Sequence, residues 1–235
     1  MTPPSEVVFL FDVDNTMLDN DRVQDDLRNH LEREFGAETR GRYWGAIFEE
    51  MCAEFGYSDY LGALQRYRLE DLCDPRLLMM SSFLVDYPFA DRLYPGSLKA
   101  LEHVRAWGET VILSNGDVVF QPRKVQRSGL WEAVECRVLI YIHKEQMLDE
   151  VEKRYPACRY VMVDDKLHIL AAMKKFWGDR LTTVWPRQGH YALDSKAIAT
   201  YPSADITIER IGDLLNFDLT ALLGANQGHP AAIQC

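Results

Sequence analysis

Apolar residues gather into short runs that repeat along much of the chain. Val7 to Val13 reads VVFLFDV, rich in β-formers and continuous rather than alternating. Such a run predicts a strand buried on both faces, as in a parallel sheet. Thr110-Val-Ile-Leu-Ser, Val138-Leu-Ile-Tyr, Tyr160-Val-Met-Val and Leu181-Thr-Thr-Val-Trp repeat the pattern, and Asp205-Ile-Thr-Ile reads as a shorter edge strand. From the second run onward, helical spacing separates them. Leu98, Leu101 and Val104 fall on one face of a helix over Ser97–Trp107, and Glu145–Arg154 and Lys166–Trp177 behave likewise. Strand–helix alternation predicts an α/β fold with a doubly wound, mainly parallel sheet, Rossmann-like in outline.

The first interval breaks the alternation. Between Asn20 and Tyr94 no strand pattern occurs, and four helical segments fit: Arg22–Phe35, Arg42–Phe55, Tyr60–Leu72 and Pro75–Asp86. Gly36, Gly56 and the Asp74-Pro75 pair mark the breaks. Roughly seventy residues is too long for a strand connection, so an inserted helical module is expected. The division is then a core of residues 1–19 and 91–224, a small all-helical cap of 20–90, and a loose tail of 225–235 without periodicity. Tyr94-Pro-Gly96 would be the re-entry turn.

The 235 residues allow one sizeable core and a modest second module. Lys and Arg number 26 against 36 Asp and Glu, a net charge of −10. Such a surface repels nucleic acid at long range, so no nucleic-acid partner is expected. It still permits a small phosphate ester, because a local metal ion can reverse the field. Five scattered cysteines without a C-x-x-C pair argue against a zinc ribbon and a compact disulfide framework, and unpaired thiols suit a reducing cytoplasm. The amino terminus has no secretory pattern, and the apolar runs are strand-sized, so no membrane association is expected. The oligomeric state stays open.

Candidate chemistry sits where strands end. Asp12 and Asp14, in FDVDNT, follow the first strand; residues two apart face the same way, so both carboxylates can enter the crevice beyond the sheet's carboxyl end. The same string is also an ordinary polar turn. Asp164 and Asp165 end YVMVDD. If these strands are neighbours four carboxylates converge, and a like-charge pair at 4 Å costs about 4 kcal/mol at an effective dielectric near 20. A retained proton or a hard divalent cation resolves that repulsion, and Mg2+ suits a phosphate substrate. Ser114-Asn115-Gly116, after the second strand, offers a hydroxyl, an amide and close backbone approach for phosphoryl oxygens, with a helix expected to start near Asp117. Lys144 follows VLIYIH and could neutralise a transferring phosphoryl group. Lys124 competes for that role, but falls inside a helix and is expected to point away.

Taken together these elements resemble the haloacid dehalogenase (HAD) superfamily. Asp12-Val-Asp14-Asn-Thr16 is similar to its first motif, Ser114-Asn-Gly to its second, Lys144 to its third and Asp164-Asp165 to its fourth, in the family's order. The resemblance implies a phosphohydrolase acting on a small phosphorylated metabolite. Asp12 would attack phosphorus and Asp14 would serve as general acid and base. Ser114 and Lys144 would stabilise the phosphoryl oxygens. Mg2+ would be held by the Asp12 carboxylate, the Asp14 carbonyl and the fourth-motif acids, with Asp165 better aligned than Asp164. The superfamily's dehalogenases lack the second aspartate, which favours phosphoryl chemistry here. Phosphomutase-type transfer, a non-catalytic binding module and 2-haloacid dehalogenation are the alternatives, in that order.

One departure is Lys166, where many relatives carry a small residue; it could pair with Asp164 or meet substrate. Arg42, Tyr43, Trp44, Arg66, Tyr67 and Arg68 in the insert invite a specificity role. Helical spacing of aromatics instead predicts that they pack the insert's own core. His143, His168 and His190 follow strands without any metal-binding spacing.

Overall fold

The computed structural model describes residues 5–69, 72 and 76–217. Six strands form one sheet: β1 (Ser5–Phe11), β2 (Glu109–Asn115), β3 (Val138–Tyr141), β4 (Ala157–Val163), β5 (Leu181–Pro186) and β6 (Ile206–Ile208). Every pairing is parallel, in the order β3-β2-β1-β4-β5-β6. The chain therefore winds outward in one direction from β1 and in the other from β4. The boundary between those strands is where an open sheet leaves a crevice at its carboxyl end.

The continuous apolar runs are explained by burial on two faces. Along β1, Val7, Phe9 and Phe11 enter one core while Val8 and Leu10 enter the other. Val161 and Val163 of β4 follow the first set, and Tyr160 and Met162 the second. The pleat sends neighbours to opposite faces, so a strand covered on both sides needs apolar residues at every position. Helices α8 (Leu148–Arg154) and α9 (Leu167–Trp177) cover the second face through Leu148, Val151, Leu170 and Met173. Helices α5 (Ser97–Arg105) and α6 (Phe120–Arg127) cover the first through Leu101, Val104 and Phe120. Short helices α7 (Leu130–Ala133) and α10 (Ser195–Thr200) complete the layers.

The interval between β1 and β2 is helical, as expected. It holds α1 (Asn20–Arg40), a π-helical stretch over Gly41–Phe48, α2 (Glu49–Phe55), α3 (Tyr60–Arg68) and α4 (Arg76–Asp86). Gly36 interrupts α1 with a φ of 88°, and Gly56 ends α2 with a φ of 74°, its N–H donating to Cys52 O. Both breaks use the left-handed region that glycine enters cheaply. The Asp74-Pro75 break, the end of the expected Tyr60–Leu72 helix near residues 70 and 71, and the 225–235 tail lie outside the described residues.

The insert shares the first core. Tyr43, Phe48 and Tyr60 are buried there, and the Tyr60 ring lies 4.9 Å from that of Phe120, which in turn meets Phe89 at 5.7 Å. The insert's aromatics pack inside, as their helical spacing predicts, although in a core shared with the sheet: Tyr43 donates to Tyr60 O at 2.7 Å, and Arg28 covers the Trp44 ring at 4.3 Å. Arg66 pairs with Glu54. Of the thiols expected to be unpaired, Cys52 and Cys136 are free, whereas Cys158 is disulfide-bonded. Among the described residues no helix is long and apolar enough to cross a membrane.

Candidate active site

The parallel register places the chemistry-bearing residues together. Asp12 N donates to Val163 O at 3.0 Å, so Asp12 leaves the sheet level with Asp164 and Asp165 at the β1–β4 boundary. Ser114 leaves on the other side, from β2. One strand farther out, the turn after β3 begins with Lys144, whose N–H donates to Asn115 Oδ1 at 3.1 Å. Asp12, Ser114, Lys144, Asp164 and Asp165 are all buried, and Asp14 is half-buried.

Lys144 is the hub. Its ammonium donates to Asp12 Oδ1 at 2.5 Å and to Leu113 O at 3.1 Å, and it lies 2.7 Å from Asp164 Oδ2. Burial works against its charge, but Asp12 and Asp164 outweigh that and raise its pKa. The expected neutralising role is thus directed first at the two carboxylates. Ser114 Oγ donates to Asp12 Oδ1 at 3.4 Å.

What those contacts leave over is informative. Among the described residues, Asp12 Oδ2 and both carboxylate oxygens of Asp165 are buried without a hydrogen-bond partner. Asp12, Asp164 and Asp165 each offer an oxygen, all within 4.8 Å of one another. Burial pushes the Asp165 carboxyl well above the ordinary range, with Asp164 and Asp12 adding to the shift against Lys166 and Lys144. Asp164 is raised too, chiefly by burial, while Lys144 draws it down. Orphaned buried oxygens are costly and rare. An all-oxygen, acid-rich donor set of this kind fits a hard divalent cation such as Mg2+.

With that geometry in place, the sequence comparison becomes specific. The family model for haloacid dehalogenase-like hydrolases matches residues 7–176, which span the four strand ends that carry Asp12, Ser114, Lys144 and Asp164. The chain belongs to the haloacid dehalogenase-like hydrolases. No curated protein matches it. A haloacid dehalogenase-like hydrolase from Burkholderia xenovorans LB400 is 68% identical, with a TM-score of 0.89, over 93% of this chain and 99% of that one. The L-2-haloacid dehalogenase of Xanthobacter autotrophicus, solved with chloropropionic acid covalently bound, shares the fold at 18% identity and a TM-score of 0.58, covering 89% of this chain and 96% of its own. A magnesium-bound HAD-hydrolase from Bacillus subtilis does so at 16% identity and a TM-score of 0.58, covering 90% and 99%.

In this HAD-like hydrolase the second-motif residues act partly as builders. The Asn115 amide is committed to the Lys144 turn, and Gly116 N donates to Tyr141 O at 2.9 Å. A Cβ on Gly116 would lie 2.5 Å from Gln121 Cβ, so glycine is required for α6 to approach. Gln121 then donates to Ser114 Oγ at 3.0 Å. Asp117 Oδ1 accepts from the N–H groups of Val119 and Phe120, starting α6 a few residues later than expected.

Other participants escaped the sequence. Thr16 Oγ1 accepts from Asp165 N at 3.0 Å and Trp185 Nε1 donates to Asp165 O at 2.8 Å, fixing that residue's backbone from both sides. Lys124 does not point away. Its ammonium donates to Asp14 Oδ1 at 2.6 Å and to Asn20 Oδ1 at 3.0 Å, fully buried. The helix carrying it packs Phe120 and Val125 into the first core, which brings Lys124 to Asp14, and single-sequence spacing could not reveal that facing. Lys166 divides its groups: its N–H donates to Asp164 Oδ1 at 2.8 Å, and its ammonium sits 4.9 Å from the Tyr191 ring. Burial opposes that charge, but Asp165 and Asp12 prevail and hold the lysine protonated. Of the histidines, His190 pairs with Asp21 at 2.6 Å and His143 with Glu145 at 3.7 Å.

Proposed function

We propose that this HAD-like hydrolase is a Mg2+-dependent phosphohydrolase of small phosphate monoesters, acting through an aspartyl-phosphate on Asp12. The observation that carries the proposal is the acid cluster with its orphaned oxygens, Asp12 Oδ2 and both of Asp165. Four carboxylates face the ammonium groups of Lys144, Lys124 and Lys166, so a phosphate dianion would find a site already short of positive charge. Mg2+ would be held by the Asp12 and Asp165 carboxylates, the Asp14 carbonyl and Asp164, and would supply charge neutralisation for the phosphoryl oxygens.

The chain's own groups supply the remaining steps. Lys144 and Ser114 hold the Asp12 carboxylate through Oδ1. One Asp12 oxygen forms the bond to phosphorus as the ester P–O bond breaks, and Asp14 gives its proton to the departing alkoxide. Asp14 then takes a proton from water, whose oxygen attacks phosphorus and displaces the Asp12 carboxylate. The helical insert, whose Asn20 reaches Lys124 beside Asp14, would act as a cap, excluding bulk water and limiting substrate size.

The test is a phosphate-release panel of small monoesters with and without Mg2+, together with Asp12→Asn. Metal-dependent release by the wild type, reduced roughly 1,000-fold or more by the substitution, is expected. Equal release with Asn at position 12 would sink the mechanism. Halide release from a 2-haloacid, with no phosphate released from any ester, would move the reaction to dehalogenation, the activity named for the Xanthobacter relative. Isomerised rather than dephosphorylated product would mark a mutase. Silence in all three assays would favour a binding module.

A further inference from the structure

Lys124 is the least expected cation in the crevice, and its surroundings cross from the sheet layer to the insert. It stands on α6, packed against the sheet. Its two hydrogen-bond acceptors, Asp14 Oδ1 and Asn20 Oδ1, belong to the β1 loop and to the first residue of α1. Asn20 extends the contact toward α3, its Nδ2 reaching Tyr60 Oη at 3.5 Å. Tyr60 is buried and stacks on Phe48 at 4.8 Å on one side, and meets Phe120 at 4.9 Å on the other. Phe120 lies one helical turn before Lys124, its ring 5.2 Å from the ammonium. One insert residue, Asn20, therefore bonds this lysine directly, and a second, Tyr60, packs against both Asn20 and the Phe120 ring beside it.

The anchoring of Asn20 makes the arrangement directional. Asn15 Oδ1 accepts from Asn20 N at 3.0 Å and from Asp21 N at 3.2 Å, so the start of α1 is tied to the turn that carries Asp14. Tyr60 is placed instead between the insert, through Tyr43 and Phe48, and α6, through Phe120. A shift of the insert would draw Tyr60 away from Asn20 Nδ2 and from Phe120, loosening the surroundings of Lys124 while leaving Asp14 on its loop.

We infer that Lys124 is a positioning residue for Asp14, and that with Asn20 and Tyr60 it fixes the Asp14 carboxylate in place when the insert is seated on the sheet. The inference rests on the phosphohydrolase reading and adds to it. Proton transfer to the leaving group would be aligned only over an enclosed substrate. A buried ammonium held by three neighbours gives such alignment at little cost in side-chain freedom, because Lys124 is already immobilised by packing.

The experiment exploits leaving groups. An alkyl phosphate needs its departing oxygen protonated, whereas a nitrophenyl phosphate departs as a stabilised phenolate and needs little help. Wild type, Lys124→Met, Lys124→Arg and Tyr60→Phe, each as the full chain with Mg2+, are assayed on both esters. Lys124→Met should lower kcat on the alkyl ester by about 100-fold and on the nitrophenyl ester by less than about fivefold, with KM nearly unchanged. Lys124→Arg should recover part of the loss. Tyr60→Phe lacks a single hydroxyl and keeps the test alive if Lys124→Met fails to fold; it should shift the ratio between the two esters in the same direction, by about threefold. Equal losses on the two esters, or no loss, overturn the inference while the phosphohydrolase reading stands. A wild type that hydrolyses no ester overturns that reading and the inference with it.

Discussion

The two flanks of the crevice are built on opposite principles. On the β1–β4 flank, three acids converge with buried oxygens that no described residue satisfies. On the β2–α6 flank, Ser114 is held by Gln121, Asn115 by the Lys144 turn, and Lys124 by Asp14 and Asn20. The difference teaches which side has donor oxygens to spare. A buried polar group left unpaired costs about 1–3 kcal/mol, more when charged, so a protein keeps such groups where something else completes them. The satisfied flank does the converse, spending its hydrogen bonds on rigidity.

If the contrast is right, losing an acid on the first flank should harm metal response, and losing a hydrogen bond on the second should harm rate alone. Asp165→Asn is expected to have the larger effect. It should raise the Mg2+ concentration for half-maximal activity by about 100-fold, and Mg2+ should lift the melting temperature of the wild type but not of the variant. An unchanged Mg2+ response would break the comparison at its first flank. Gln121→Leu removes the donor to Ser114 and should lower kcat about tenfold, matching one buried hydrogen bond of about 1.4 kcal/mol, with the Mg2+ response intact. A shifted Mg2+ response in that variant would show that the flanks are not separate.

The smallest effect tests a junction that belongs to neither flank. Asp26 on α1 accepts from Arg92 Nη2 at 2.6 Å and from Tyr87 Oη at 2.5 Å, tying the insert to the segment by which the chain returns to the sheet. Burial pushes the Asp26 carboxyl up, but the Tyr87 and Arg92 hydrogen bonds outweigh it and leave the pKa below the ordinary 3.8. A carboxyl depressed in the folded state contributes its stability fully above the unfolded value and loses it as pH falls through the folded one. Asp26→Asn should therefore cost about 1 kcal/mol at neutral pH, since the pair is partly screened by solvent. Thermal melts should show the gap narrowing as pH falls below about 4 and closed only below the depressed folded value, where both proteins carry a neutral group. A gap that persists at low pH would assign the loss to geometry instead of charge.

The strands were legible because each is covered on both faces, which forces a continuous apolar run with little ambiguity. VVFLFDV and YVMV fed two cores at alternate positions, and their pairing brought Asp12 beside Asp164 and Asp165. The four strand-end motifs were legible for the same reason, since strand ends are where a parallel sheet exposes its crevice. Lys124 was not, nor was Gln121. Both lie on an amphipathic helix whose facing depends on how α6 crosses the sheet, and spacing alone marked them as ordinary helical polar residues. The cysteine count suggested unpaired thiols, yet Cys158 is bonded, because pairing depends on distances in space.

The sequence by itself determined the α/β class, the helical interval after β1, the family, and the residues Asp12, Asp14, Ser114, Lys144, Asp164 and Asp165 at the ends of strands. Local patterns suffice for these, since the pleat and the parallel register carry a residue at a strand end to a fixed place. Only the tertiary structure decided how the charges are shared: Lys144 between Asp12 and Asp164, Lys124 on Asp14, Lys166 turned to Tyr191, and Asp165 left with both oxygens unsatisfied. Electrostatic partnership falls off over a few ångströms and depends on burial, so it is fixed by packing between elements distant in the chain.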